Sequence, residues 1–206
     1  VPVFNFYIVT TKDVIFEKAL VLFSENGYTA TSIRNICAEV GIKESSFYNH
    51  YKSKDQLLDA IFDSFNNALL SNAVSNEQLD LLTTRFSLKE MLLDGLKQYI
   101  GIWENPTAAQ MWFVVSMEQY RNPKAGQIII AESNRRISRT AYTFEQFQKK
   151  GKMKQGDPLT LANLYSFSIR SLHLDYGLKK LYNRDHEQSF QSMQAVSELF
   201  CTQWGL

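Results

Sequence analysis

Residues 28–58, YTATSIRNICAEVGIKESSFYNHYKSKDQLL, constrain this chain more than any other stretch. They read as two short helices broken at a glycine and followed by the start of a third. Thr31 is the N-cap candidate, and Ile33, Ile36 and Val40 recur at the spacing of one helix face. Gly41 stands where the first helix has to stop, because glycine alone takes a positive φ there without steric cost. Ile42 re-enters the core, and a second helix is predicted over 44–51. Two helices joined this way make a helix-turn-helix, which lays its second helix in the DNA major groove. The pattern points to a partner, duplex DNA, that bulk composition does not suggest.

Charge argues the other way when taken alone. The 206 residues carry a net charge of only +1, and residues 1–55 hold six Lys/Arg against six Asp/Glu. Attraction to phosphate must therefore come from local placement and helix N-termini rather than a global basic field.

The detail extends beyond a generic motif. Three segments, Tyr28 to Arg34, Ala38-Glu39-Val40-Gly41 and Phe47 to Leu58, together with IFEKALVLFSENG before them, resemble the DNA-binding domain of TetR-family transcriptional regulators. The resemblance covers residues 12–60 at many fixed spacings. It implies an all-α protein: a helix-turn-helix domain over 1–53, with 1–11 as an extension, then a helical ligand-binding and dimerisation domain over 54–206. It also implies roles for single residues. Tyr48 and His50 contact phosphate or base edges, Lys54 holds phosphate, and Thr31 and Ser32 do the same from the first motif helix. Lys43 lies on the recognition helix with them. Ser45 and Ser46 are small enough to let that helix approach the groove floor, and Asn49 has the donor and acceptor to read adenine. Phe47 should point into the core. The other reading of Tyr48 and His50 is packing and capping of a small three-helix domain.

The rest of the chain also reads as helix. Segments are predicted at 12–26, 31–38, 44–51, 54–74, 87–103, 106–120, 123–150, 158–182 and 186–204, with 75–86 unassigned. Pro106, Pro123 and Pro158 stand at first-turn positions, and Ser87 with Glu90 and Ser53 with Gln56 have capping-box spacing. The run Met111 to Met117 is apolar nearly all round and should be buried on every side. Between Arg121 and Lys154 there are nine Lys/Arg and two Asp/Glu. That reads as a solvated basic face, with an anionic ligand or partner as the sharper alternative. Stripes at Leu161, Tyr165, Ser168 and Leu172, and at Phe190, Met193, Ser197, Phe200 and Trp204, predict packed faces on the last two helices. By resemblance this pair forms a homodimer interface through residues 158–204.

The expected small-molecule site is the aromatic interior: Trp103, Trp112, Phe113, Met117, Phe144, Phe147 and Tyr165, with His173, Glu118 and Arg170 as polar anchors. Aromatic and Met side chains suit an apolar or aromatic ligand. No nucleophile elbow, phosphate loop or metal-ligand spacing is present, so catalysis, a metal and a cofactor are not expected. His173 and Asp175, two apart on a helix, point away from each other. Cys37 and Cys201 have no metal spacing, and a reducing cytoplasm fits them best. No apolar run is long enough to cross a membrane. The opening VPVFNFYIV lacks a basic region and a cleavage site, so it is not read as a signal peptide; its aromatics Phe4, Phe6 and Tyr7 could pack on a neighbour. The resulting expectation is a ligand-responsive regulator, most simply a repressor, that binds a palindromic operator as a dimer. The rival classes are a regulator acting through protein partners alone and an enzyme.

Overall fold

A computed structural model describes residues 10–71 and 74–206. Among the described residues ten α-helices run in the order α1 (Thr11–Asn26), α2 (Ile33–Val40), α3 (Glu44–Phe47), α4 (Lys54–Ser71), α5 (Asn76–Arg85), α6 (Leu88–Ile100), α7 (Pro106–Glu118), α8 (Pro123–Lys149), α9 (Pro158–Leu181) and α10 (Glu187–Trp204). A short 3-10 turn, Gly101–Glu104, follows α6. There is no strand among the described residues, only an isolated bridge between Met153 and Gly205. The fold is all-α. The reading of the opening nine residues lies outside the described ones.

Local chemistry sets the helix ends. Thr10–Asp13, Ser32–Asn35, Ser75–Gln78 and Ser87–Glu90 are reciprocal capping boxes. Ser32, not Thr31, caps α2. Thr31 is buried, and its hydroxyl donates to the Gly27 carbonyl at 2.9 Å. The Ser53 pattern is only half realised: Gln56 N–H donates to Ser53 Oγ, while Gln56 Oε1 accepts from Lys52 N–H instead of from Ser53. The three prolines open α7, α8 and α9. Helix α5 fills the stretch left unassigned.

The chain divides into two compact units. The first comprises residues up to Ser71 with Thr107–Ile129, and the second comprises 72–106 with Ile130–Leu206. The expected boundary at 53/54 falls in the turn before α4, and α4 groups with the first unit. That unit packs Ile15, Phe23, Ile36, Phe47, Leu57, Ile61 and Phe62, all almost wholly buried, into one core. Burying a large apolar side chain contributes about 1.5–3 kcal/mol. Lys124 at the start of α8 pairs with Asp59 and Asp63 of α4, at 3.6 and 2.9 Å. Helix α7 departs from expectation: Met111, Val114 and Val115 are buried, but Met117 is exposed and Trp112 and Phe113 are half-buried.

The second unit centres on α6, α8, α9 and α10. Here the predicted stripes prove to be an internal face. Leu161, Tyr165, Met193 and Ser197 are buried within the subunit, and Phe200 stacks on Phe144 with ring centroids 5.0 Å apart. Ser168, by contrast, is exposed. Among the apolar residues left outside on α9 are Leu164, Phe167, Leu174, Leu178 and Leu181, each at least 39% exposed. Their spacing of three, seven, four and three puts them along a single side of α9. Helix α9 thus carries apolar residues on two faces, and one of them packs inside the second unit.

Candidate nucleic-acid interface and small-molecule cavity

Gly41 ends α2 in the left-handed conformation, φ 77° and ψ 31°. Its N–H reaches the Cys37 carbonyl at 2.9 Å, and Ile42 N–H reaches the same carbonyl at 3.0 Å. This closes α2 and turns the chain into α3. Helix α3 is shorter than expected; residues 48–50 continue as turn. His50 N–H donates to Phe47 O at 2.9 Å, and Tyr51 N–H to the same carbonyl at 3.0 Å, so the turn is still tightly hydrogen-bonded. Phe47 and Tyr51 are buried as its anchor, as expected for Phe47.

That anchor fixes what faces outward. Lys43, Ser45, Tyr48 and Asn49 are exposed together, with Ser46 and His50 half-buried beside them. Ser32 is exposed at the start of α2, while Thr31 is turned inward, so its side chain is not available to phosphate. Lys54 is drawn inward as well. Its Nζ donates to the carbonyls of Tyr28 at 2.9 Å and Thr31 at 2.7 Å, and lies 4.1 Å from the centroid of the Tyr28 ring. An ammonium has three donors, so one remains beyond these two bonds. The Tyr28 hydroxyl donates to Asp55, and burial with that carboxylate raises its pKa. Lys54 thus clamps the segment between α1 and α2.

The second unit holds a cavity of about 700 Å³. Its apolar wall includes Leu79, Leu82, Phe86, Leu92, Leu96, Phe144 and Ile169. Tyr99, Arg136, Arg139, Thr140, Thr143, Tyr165 and Ser166 supply polar groups. Of the expected ligand residues, Phe144 and Tyr165 line it. Trp112, Phe113, Met117 and Glu118 belong to the first unit. Phe147 is buried core, and Trp103, His173 and Arg170 are not on the wall. Trp103 and His173 stand one layer back: the indole N–H donates to His173 Nε2 at 2.9 Å, and Tyr99 stacks on the imidazole at 3.8 Å. A ring that accepts at Nε2 is neutral, and burial pushes the His173 pKa down to about 4. Burial likewise pushes the Tyr165 hydroxyl up to about 12, against the pull of its 3.0 Å bond to Ser197.

Arg136 and Arg139 were seen in the sequence only as members of the basic run. Their spacing from Thr140 and Thr143 on one face of α8 was the available signal. The structure disperses the rest of that run. Lys149 pairs with Glu145 and Lys150 with Asp80, Lys152 donates to the carbonyls of Thr83, Thr84 and Phe86, and Lys154 to that of Gln203. Lys152 thereby satisfies carbonyls at the C-terminal end of α5.

Comparison with known proteins agrees with this geometry. Residues 15–61 match the family described as bacterial regulatory proteins, tetR family. IcaR of Staphylococcus aureus (strain Newman), the HTH-type negative transcriptional regulator of the biofilm operon icaADBC, is 36% identical over 97 residues, covering 45% of this chain and 51% of IcaR. IcaR of Staphylococcus epidermidis is 33% identical over 102 residues, covering 48% and 54%. The aligned part thus spans about half the length of these relatives. Among solved structures, a transcriptional regulator from Saccharomonospora viridis in complex with choline superposes with a TM-score of 0.67 at 21% identity, covering 91% of this chain and 95% of that one. SmeT, the repressor of the Stenotrophomonas maltophilia multidrug efflux pump SmeDEF, gives 0.65 at 14% identity over 96% and 91%. At such identities the two structures establish the shared fold. Residues 15–61 thus carry the DNA-binding segment of the tetR family of bacterial regulatory proteins, and the chain as a whole shares the fold of the solved regulators. No described helix is long and apolar enough to cross a membrane.

Proposed function

We propose that the chain is a cytoplasmic repressor that binds a palindromic operator as a homodimer and is released from it by a small molecule. The observation that carries this reading is the outward set Lys43, Ser45, Tyr48 and Asn49, held on the buried Phe47–Tyr51 anchor within the segment that matches the family. The exposed stripe on α9 supports a symmetric partner, because five apolar residues in register along one helix exceed the scattered exposure of an ordinary surface. The cavity supports an effector: its volume and mostly apolar wall suit a drug-sized molecule. SmeT has been solved with triclosan, and the Saccharomonospora viridis regulator with choline. Each ligand belongs to its own protein, but both illustrate that this fold admits small molecules.

A dimer presents two reading units to half-sites separated by about 34–36 Å or a multiple of it. The effector favours a state whose separation is wrong for the operator. Titrating the protein into duplexes from its own upstream region, at several salt concentrations, tests the reading. Binding should be tight on one inverted repeat and weak on its scrambled copy, and affinity should fall steeply with salt. Equal affinity for both duplexes would favour a regulator acting through protein partners.

A further inference from the structure

The wall of the cavity is chemically unbalanced. Arg136 is mostly buried, with its side chain 15% exposed. Its Nη1 donates to the Tyr99 hydroxyl and lies 3.7 Å from Glu132. Its Nε and Nη2 are buried without a hydrogen-bond partner among the described residues. Those two nitrogens form one edge of the guanidinium, with parallel donors spaced to meet two oxygens of one anion. Arg139 lines the same cavity one helical turn on. Arg139 keeps an exposed side chain, and partial desolvation at the wall, opposed by Glu132 and reinforced by Arg136, lowers its pKa. Ser166 Oγ is also buried without a partner.

The carboxylates on the wall do not answer this charge. Glu90 accepts from the N–H and hydroxyl of Ser87 at 2.8 and 2.7 Å, and Asp94 accepts from Gln98 at 2.7 Å; both are exposed. Two guanidiniums therefore share a single nearby carboxylate, Glu132. An unpaired buried cation is costly, and an incoming oxyanion would remove that cost.

We propose that the molecule taken by this cavity is an organic acid, a carboxylate on an apolar body, held by the free edge of Arg136 with Arg139 beside it. The proposal rests on reading the cavity as the effector site. A cation is disfavoured for the same reason an anion is favoured.

The test uses four probes with one body and different heads: decanoate, decanamide, decylammonium and decyl sulfate, titrated calorimetrically into the full-length protein. Decanoate should bind about tenfold or more tighter than decanamide, and decylammonium weakest. Arg136→Gln should bring decanoate down to the affinity of decanamide and leave decanamide unchanged, which also shows that the variant is folded. If Arg136→Gln loses both ligands, Arg139→Gln decides, since it should weaken decanoate alone. Equal binding of decanoate and decanamide would overturn the organic-acid assignment while leaving the cavity as a ligand site. Tighter binding of decyl sulfate would replace the carboxylate with a tetrahedral ester. Binding of none of the four would overturn the effector reading together with the proposal.

Discussion

The turn before α2 and the wall of the cavity treat their polar groups in opposite ways. Around the turn each side chain described above finds a protein partner, with one donor of Lys54 left over. Thr31 reaches four residues back to Gly27, Ser32 reaches three forward to Asn35, and Lys54 returns 26 and 23 residues to two carbonyls of one segment. Around the cavity the partners come from far along the chain: Arg136 to Tyr99 over 37 residues, Trp103 to His173 over 70, Tyr165 to Ser197 over 32. There the accounting also stays open, at Arg136 and Ser166. A surface that must read a fixed duplex benefits from rigidity closed off locally. A site that must accept a ligand benefits from donors kept unsatisfied by the protein.

The largest effect should come from the exposed stripe, which separates packing within a subunit from packing between subunits. Leu174→Glu with Leu178→Glu puts two charges on the outer face of α9. Sedimentation should then show monomers, and operator affinity should fall by at least about 100-fold as the second half-site contact is lost. Phe200→Ala should act differently, because Phe200 lies between Phe144 and Tyr165. It should lower chain stability by about 3 kcal/mol in chemical denaturation while dimers persist. Dimers surviving the double glutamate change would show that α9 does not form the interface.

The layer behind the cavity comes next. A Cβ at Gly177 would stand 2.0 Å from Trp103 Cζ2, so Gly177→Ala must displace the indole that holds His173. The expected loss is about 1–3 kcal/mol, read from thermal or denaturant unfolding. His173 itself sets a pH dependence. Its pKa is about 4 in the folded chain against 6.5 for the free group, so the unfolded chain binds the extra proton between those values. Stability is full above about pH 6.5 and falls by up to about 3 kcal/mol as pH drops to 4. The buried carboxylate-independent part of this loss should vanish in His173→Gln. The carboxylates held low by caps and ion pairs, such as Asp157 at Thr160 and Glu104 at Lys180, act in a lower window, below their ordinary range.

The same contrast decides what could be read from the sequence. The helix-turn-helix was legible because its determinants are local: the Gly41 stop, the Ile33–Ile36–Val40 face and the inward Phe47 all act within a few residues. Thr31 and Ser32 were confused because both are good N-caps, and only the neighbouring Gly27 carbonyl selects which one turns inward. The cavity was mostly illegible. Trp112 and Phe113 look like pocket residues by type, yet packing assigns them to the first unit. Arg136 and Arg139 looked like two more members of a basic run, and only long-range packing sets them on the cavity wall, Arg136 mostly buried and Arg139 still exposed. The stripes of the last two helices could be read as packed faces and no further, because apolar periodicity does not say which neighbour covers a face.

Within the reading unit, Lys54 and Asn49 should break in different ways. Lys54→Ala removes a clamp as well as a charge, so it should lower the stability of the unit by about 1–2 kcal/mol. It should also reduce the salt slope of binding by about one if the remaining donor meets a phosphate. A lower stability with an unchanged slope would make Lys54 purely a positioning residue. Asn49→Ala should leave stability and slope unchanged, and should cost about 1–3 kcal/mol on the cognate operator alone if Asn49 reads a base. Titrations on operator and scrambled duplexes, paired with urea melts, separate these outcomes.

The smallest effect tests the idea that the cavity wall has space to spare. Gly95 lies inside α6 on the cavity wall, and a Cβ built there meets nothing within 4 Å. In a helix interior glycine costs about 0.5–1 kcal/mol relative to alanine, because the unfolded chain has more freedom to lose. Gly95→Ala should therefore stabilise the protein by about that amount in denaturant unfolding. It is the reverse of Gly177→Ala, although both replace a helical glycine with the same residue. Only the surroundings differ: the Trp103 ring in one case, open space in the other. The added methyl should leave binding of a small probe such as decanamide almost unchanged. A destabilising Gly95→Ala would mean that the α6 wall closes in solution and that the cavity is smaller than its 700 Å³.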